Sequence, residues 1–166
     1  SQGGKIIYYP IDLSIETSFI STSIRLLDQH DIVVGSKRMA SSYDNRPVKR
    51  RIASFLYHGL VRSLFLTSIT DTTCVKADRR DVALRLIDSV PCDSEVFETE
   101  LMIEAQRQGY GIHQIPVMVN DFRESRQPLI HKIGFKLRDL LTLRLDVLSL
   151  LLGGSMFLLG VAWIIL

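Results

Sequence analysis

An uncharged apolar run constrains the fold of this chain more than any other feature of its sequence. Residues 147–166 carry no ionisable side chain and consist mainly of Leu, Val, Ile, Phe, Met, Ala and Trp, with a few Gly and Ser. A helix of this length spans about 30 Å, the thickness of a bilayer's hydrocarbon core. We therefore predict a transmembrane helix over residues 146–166. The alternative, a buried core helix, would need a much larger protein around it.

The residues before this run have the pattern of an amphipathic helix over residues 131–145. Its apolar face is formed by Ile133, Leu137, Leu140 and Leu141, and its cations are Lys132, Lys136, Arg138 and Arg144. Such a helix lies along a membrane surface, with its cations toward anionic headgroups on the cytoplasmic side. The alternative interpretation is an ordinary amphipathic helix that packs on a soluble core.

Residues 1–130 have the alternating pattern of an α/β domain. Apolar runs predict strands over residues 5–11, 31–36, 72–77 and 112–119. Helices are predicted over residues 14–29, 47–66, 79–90 and 98–108, with Ser14 as a cap and Pro47 in a first turn, and residues 39–46 as a polar loop. This alternation predicts a mainly parallel sheet with helices on both faces.

The net charge and the cysteine content argue against a nucleic-acid-binding protein and against a disulfide-stabilised one. The net charge of +2 is too small to indicate a nucleic-acid partner. Cys74 and Cys92 have neither metal-ligand spacing nor the number that a disulfide framework needs. We therefore expect a reduced, cytoplasm-facing environment.

Acidic residues stand at two positions where an α/β sheet binds ligands or begins a helix. Asp12 follows the first predicted strand, where a carboxylate can hold a divalent cation, although from this motif alone a turn or helix-cap Asp is the better explanation. Glu98 and Glu100 begin a predicted helix, and the helix dipole alone favours carboxylates there. The functional alternative is a general base that deprotonates or orients an acceptor.

Cations concentrate in two loops. Between residues 37 and 51 there are six cations, including Lys37 and Arg50, against one anion, Asp44. Arg50 and Ser54 are four residues apart and share a helical face, so they could bind a phosphate. A solvated basic face or simple attraction to a membrane is the alternative. Arg123 and Arg126 lie in a later loop that could close over a diphosphate or merely connect two segments.

The order of these motifs is more informative than any one of them. They are Asp-Leu-Ser at 12–14, Gly-Ser-Lys at 35–37, Arg and Ser at 50 and 54, Phe-Glu-Thr-Glu-Leu at 97–101 and Ile-Pro-Val at 115–117. This order resembles family-2 inverting glycosyltransferases (GT-A fold) of the dolichyl-phosphate mannose synthase and polyprenyl-phosphate glycosyltransferase type. The resemblance covers the C-terminal half of that catalytic domain and the start of its membrane region.

The resemblance implies roles for individual residues. Asp12 matches the last Asp of a motif that binds a divalent cation, Mg²⁺ or Mn²⁺, with the donor diphosphate, and Glu98 and Glu100 match an acidic pair near the acceptor. The remaining implied contacts are with phosphates: Lys37, Arg123 and Arg126 for the donor, and Arg50 and Ser54 for the lipid. The implied reaction transfers a sugar from a nucleotide-sugar to a polyprenyl (dolichyl) phosphate at the cytoplasmic membrane face.

The sequence also departs from the family pattern. Pro10 replaces the first Asp of the cation motif, and Cys74-Val75-Lys76 is one residue shorter than the usual Cys-Gly-Phe-Lys. The half of the domain that grips the nucleotide has no counterpart here. We therefore expect a complementary N-terminal half or a homo-oligomer as protein partner. The alternative function is a non-catalytic or split-enzyme membrane subunit.

Overall fold

The computed structural model describes residues 3–90, 96–121, 136 and 138–143. The chain forms two compact units, Ser1–Arg126 and Gln127–Leu166. In the second unit the described residues 136 and 138–143 are helical, and the other residues of the predicted interfacial helix lie outside the description. So does the whole predicted transmembrane helix, residues 146–166. No helix in the described part of the chain is long and apolar enough to cross a membrane.

The described residues of the first unit form short strands and four helices. The strands are Lys5–Tyr8 (β1), Ile32–Ser36 (β2), Tyr43–Asp44 (β3), Lys76–Arg79 (β4), Ile112–Pro116 (β5) and Met118–Val119 (β6). The helices are Ser18–Leu26 (α1), Val48–Phe65 (α2), Arg80–Ser89 (α3) and Phe97–Arg107 (α4). Because strands and helices are interleaved along the chain, the α/β class predicted from the sequence is confirmed.

The main sheet is mixed, so the prediction of a mainly parallel sheet is wrong. Its strand order is β1-β4-β2-β5, with β4 antiparallel to both neighbours and β5 parallel to β2. A parallel crossover needs a connecting helix that packs on the sheet. Helix α2, which precedes β4, has only Val61 buried among its described side chains, and therefore does not act as such a crossover.

Helices cover both faces of this sheet, as predicted. Val33 of β2 and Ala77 of β4 pack in a cluster with Phe19 and Leu27 on the α1 side. Ile32 and Val34 face the other way. They pack with side chains of α3 and α4, namely Val82, Leu86, Leu101, Met102 and Ala105. Strand β2 is thus buried on both faces, because its side chains alternate between the two clusters.

Several element boundaries differ from the prediction. Strand β1 ends at Tyr8, since a turn follows Pro10, and β4 is displaced to Lys76–Arg79. The strand predicted over residues 112–119 is divided into β5 and β6, and the predicted polar loop contains β3, which pairs with β6. Ser14 does not cap α1, because the helix begins at Ser18.

Candidate functional site

The chain directions of the strands place two predicted site residues, Asp12 and Lys37, at the same edge of the main sheet. Strands β1, β2 and β5 run the same way, because β4 is antiparallel to β1 and β2 while β5 is parallel to β2. Asp12 follows β1 and Lys37 follows β2, whereas Asp121 follows β6 of the second, two-stranded sheet. In α/β sheets this carboxyl edge is where ligands bind.

A pocket of about 730 Å³ opens beside α2 and is here called the α2 pocket. Its lining includes five cationic side chains, from Lys37, Arg38, Arg46, Arg51 and Arg62. Apolar side chains from Val48, Ile52 and Phe55 line it as well, together with His58. Asp44 is the one acid among the described residues that line the pocket. A pocket with this lining fits a molecule that carries both phosphate and hydrocarbon.

Two of the pocket cations are balanced by carboxylates. Arg46 donates from Nε and Nη2 to the two carboxylate oxygens of Asp44, at 2.8 and 2.7 Å. Lys37 Nζ lies 3.0 Å from Asp71 Oδ2. Burial acts to raise the pKa of Asp71, but the charge and hydrogen bond of Lys37, the charge of Arg38 and the Thr73 amide together lower the pKa below its ordinary value. Lys37, predicted as a donor-phosphate contact, is therefore at the pocket and already carries an acidic partner.

Arg38 connects the pocket to Ser54. Its Nη2 donates to Ser54 Oγ at 2.9 Å and also to the Ser54 carbonyl. Burial lowers the pKa of this guanidinium, and its Nε has no hydrogen-bond partner within the described residues. A buried donor without a partner is costly, so an anion that reached Arg38 Nε would be well bound. The resemblance had assigned a phosphate role to Lys37 but none to Arg38.

Arg50 and Ser54 share a face of α2, as their spacing predicted, but they contact different partners. Arg50 Nη1 donates to Asp121 Oδ2 at 2.8 Å, and the carboxylate of Asp121 is buried. Ser54 is held by Arg38 instead. Arg50 stands beside the α2 pocket rather than among its lining residues. A phosphate between Arg50 and Ser54 would therefore compete with Asp121 for the guanidinium.

Among the charged and titratable side chains that line the α2 pocket, those of Arg62 and His58 belong to none of the sequence motifs described above. The signal that could have found Arg62 is its spacing of eleven residues from Arg51, which is three helical turns. His58 lies on the same helix, and burial, followed by repulsion from Arg38, lowers its pKa. The imidazole is thus neutral at pH 7 and can accept a hydrogen bond from a protonated ligand.

Glu98 belongs to a second cluster, centred on a buried lysine. Lys76 of β4 is 3% exposed, and its Nζ lies 2.9 Å from Glu98 Oε2 and 3.0 Å from the Cys74 carbonyl. The ring centroid of Tyr8 is 5.3 Å from the same nitrogen. The charge of Glu98 raises the pKa of Tyr8. Glu98 is therefore the counter-ion of Lys76, and Glu100 lies in the same first turn of α4.

Asp12 lies in an exposed turn after β1. Its Oδ1 accepts a hydrogen bond from the Ser14 amide at 3.0 Å, which is the turn arrangement that the simpler interpretation predicted. The described residues contain no group of three or more His, Cys, Asp or Glu side chains placed to hold a metal ion. Arg123 and Arg126, predicted to contact the donor, lie outside the described residues.

Comparison with known proteins finds a similarity to a glycosyltransferase. No protein-family model matches the sequence. The chain is similar to glycosyltransferase AglD of Haloferax volcanii, with 28% identity over 120 residues, which is 70% of this chain and 19% of the relative. The chain thus spans about a fifth of the length of that relative. This weak homology supports a glycosyltransferase, which agrees with the class that the motif order indicated.

Proposed function

We propose that the chain takes part in the transfer of a sugar from a nucleotide-sugar to a polyprenyl phosphate, at the cytoplasmic face of a membrane. The observation that carries this proposal is the α2 pocket, in which arginines and apolar side chains line the same cavity. A polyprenyl phosphate has both a dianionic head and a hydrocarbon tail. The similarity to a glycosyltransferase supports the reaction class, and the motif order favours the family-2 inverting type.

The arginines explain how the phosphate would be held. Arg38 has an uncommitted Nε, and Arg51 and Arg62 make no side-chain hydrogen bond or ion pair with any described residue. Guanidinium groups bind phosphate oxygens through paired donors. The apolar side chains of Ile52 and Phe55 would contact the first part of the hydrocarbon chain. Arg50 and Ser54 would orient the phosphate from the adjoining face.

The chemistry demands no strong base. A phosphate oxygen of the lipid attacks the anomeric carbon, the bond from that carbon to the nucleoside diphosphate breaks, and the diphosphate leaves. Because the lipid phosphate is already ionised at neutral pH, orientation is the main requirement. The ion pair between Glu98 and Lys76 agrees with this, because a carboxylate held by a lysine is a weak base. Mg²⁺ or Mn²⁺, with Asp12 as one ligand, remains part of the proposal and would neutralise the departing diphosphate.

The membrane location rests on the sequence. The amphipathic pattern over residues 131–145 and the uncharged run after it favour a domain held at the surface where a lipid phosphate emerges.

The test is sugar transfer in membranes that express the chain, supplied with labelled nucleotide-sugars, polyprenyl phosphate and Mg²⁺ or Mn²⁺. Arg50→Ala and Asp12→Ala are compared with Arg80→Ala, which removes an exposed arginine of α3. We expect labelled lipid with the wild type and Arg80→Ala but not with the other two variants. Normal turnover by a folded Arg50→Ala variant would contradict the assigned phosphate contact.

A second arm addresses the alternative of a split enzyme. If the folded, membrane-bound chain makes no product, the assay is repeated with the segment encoded upstream co-expressed. Product in that arm would identify the chain as one part of the enzyme, and no product in either arm would reject the proposed reaction.

A further inference from the structure

A buried carboxylate lies behind the cationic wall of the α2 pocket. The side chain of Asp71 is 2% exposed, and its Oδ2 lies 3.0 Å from the Nζ of Lys37, which lines the pocket and is itself 9% exposed. The attraction of Asp71 also reaches Arg38 and Arg46, two other cations of the lining. Asp71 is not among the described residues that line the pocket, so it acts on a ligand through its charge rather than by contact.

Hydrogen bonds hold this carboxylate in place. Asp71 Oδ1 accepts from the amide of Thr73 at 3.1 Å and from its hydroxyl at 3.3 Å. The preceding residue, Thr70, donates its amide and its hydroxyl to Gln114 Oε1, at 2.6 and 2.7 Å. If Lys37 turned from Asp71 toward a ligand, the fixed carboxylate would stay buried without its closest counter-ion, which is costly. The ion pair therefore resists exchange with a phosphate.

We infer that Asp71 limits how tightly the α2 pocket holds a phosphate, because it cancels the charge of Lys37 and weakens the field of the neighbouring arginines. Lys37 serves as the partner of Asp71 and does not contact the phosphate itself. The inference concerns the regulation of the same pocket and rests on the proposed function.

A limited affinity has a use in the proposed reaction. The phosphate monoester that enters is a dianion at neutral pH, whereas the phosphodiester that forms is a monoanion. Because the electrostatic energy is proportional to the charge of the ligand, a pocket whose positive charge is partly cancelled can still bind the dianion and release the monoanion. Asp71 thus favours release of the product.

The test measures phosphate affinity by isothermal titration calorimetry on the detergent-solubilised full chain, at about pH 8, where a phosphate monoester is fully ionised. The two probes are farnesyl phosphate, a dianion, and its methyl ester, a monoanion. The variants are Asp71→Asn, Lys37→Met and the two changes together. The matched control is Asp28→Asn, which neutralises a carboxylate that is paired with Lys5 on the surface of α1.

We expect Asp71→Asn to bind farnesyl phosphate about tenfold more tightly and the methyl ester about threefold more tightly. Asparagine keeps an oxygen for the hydrogen bonds of Thr73 and removes only the charge. Lys37→Met should weaken the binding of farnesyl phosphate about tenfold, since the charge of Asp71 is then uncancelled. The double variant should lie within about threefold of the wild type, and Asp28→Asn should change neither affinity.

Three results would overturn the inference. The first is unchanged or weaker binding by a folded Asp71→Asn protein. The second, which decides the matter if that variant does not fold, is a double variant that binds as weakly as Lys37→Met, because Lys37 would then contact the phosphate. The third is the absence of binding in every protein.

Failure of the proposed function gives a different result. Tighter binding by Asp71→Asn in a chain that transfers no sugar would contradict only the proposed function. Sugar transfer by a chain whose affinity does not respond to Asp71→Asn would contradict only the role of Asp71.

Discussion

The ammonium of Lys76 lies 2.9 Å from a carboxylate oxygen of Glu98, inside a fold that leaves only 3% of the lysine exposed. A buried ammonium is tolerated when a counter-ion and hydrogen bonds replace its water. Here the Cys74 carbonyl and the face of Tyr8 complete that environment. Glu98 therefore stabilises the fold, independently of any role toward an acceptor substrate.

Replacing Glu98 by Gln should destabilise the protein by about 2 kcal/mol, because the buried charge of Lys76 loses its counter-ion. The figure is below that of a fully buried pair, since the Glu98 side chain is 32% exposed. The measurement is urea unfolding of the detergent-solubilised chain followed by far-UV circular dichroism. Glu104→Gln, on the same helix, is the control, because its pair with Arg107 is on the surface and should be worth at most about 1 kcal/mol.

The double variant Lys76→Met with Glu98→Gln should recover most of the lost stability, because no charge then remains buried. Equal stability of the Glu98→Gln and Glu104→Gln proteins would show that the ion pair contributes little to folding.

Asp78 lies two residues along β4 from Lys76. Because its carboxyl group is buried, we predict that the stability of the protein falls as pH rises. Asp78 is 6% exposed, and its Oδ1 has no hydrogen-bond partner within the described residues. Burial raises the pKa from 3.8 to about 6, against the opposing attraction of Lys76. Below the ordinary pKa both folded and unfolded chains hold the proton. As pH rises from about 3.8 to about 6, the unfolded chain ionises first and the folded state is progressively disfavoured, and above about 6 both states are ionised and the loss stays constant.

Asp78→Asn should remove this dependence. Relative to the wild type, the variant should gain about 2 to 3 kcal/mol in unfolding free energy between pH 4 and pH 7. Urea unfolding at several pH values measures the difference, and the exposed Asp88→Asn reports what loss of a surface carboxylate does by itself. A stability difference that does not change with pH would place the carboxylate in a better-solvated setting than its burial indicates.

Local sequence signals placed the later helices well. Pro47 was predicted in the first turn of α2 and is the N-cap residue one position before it. Gly109, whose φ of +78° few other residues adopt, follows α4. These features depend on neighbouring residues alone. The direction of β4 does not depend on neighbouring residues alone. The alternation of strands and helices along the sequence does not indicate whether the connection between two strands crosses over the sheet.

The residues that contact the site residues could not be predicted from the sequence either, because they too depend on the tertiary fold. Helical spacing correctly placed Arg50 and Ser54 on one face, but the groups that contact them, Asp121 and Arg38, come from other parts of the chain. Arg50 and Asp121 are 71 residues apart in sequence. Such contacts follow from the tertiary fold, which the pattern of one helix does not contain.

Arg38 should contribute directly to phosphate binding in the α2 pocket. Arg38→Ala removes the uncommitted Nε and releases Ser54, so the affinity for farnesyl phosphate, a short polyprenyl phosphate, should fall about tenfold or more. Isothermal titration calorimetry on the detergent-solubilised chain measures the affinity. Arg25→Ala, an exposed arginine of α1, controls for the loss of one positive charge. Equal weakening by both variants would reduce the effect to overall charge.

Two glycines predict opposite effects of the same substitution. A Cβ at Gly35 would lie 2.5 Å from Val75 Cγ1 and 2.7 Å from Val117 Cγ1, closer than packed carbon atoms approach. Gly35→Ala should therefore destabilise the protein by about 1 to 3 kcal/mol, because the buried strand β2 leaves neighbouring side chains little room to move.

Gly59 lies within α2, and a Cβ there meets nothing within 4 Å. Gly59→Ala should stabilise the helix by about 0.5 to 1 kcal/mol, because alanine loses less backbone entropy than glycine on folding. Urea midpoints of the two variants should thus move in opposite directions from the wild type. A midpoint for Gly59→Ala below the wild-type value would mean that something does occupy the space beside this turn of α2, where Gly59 lines the α2 pocket.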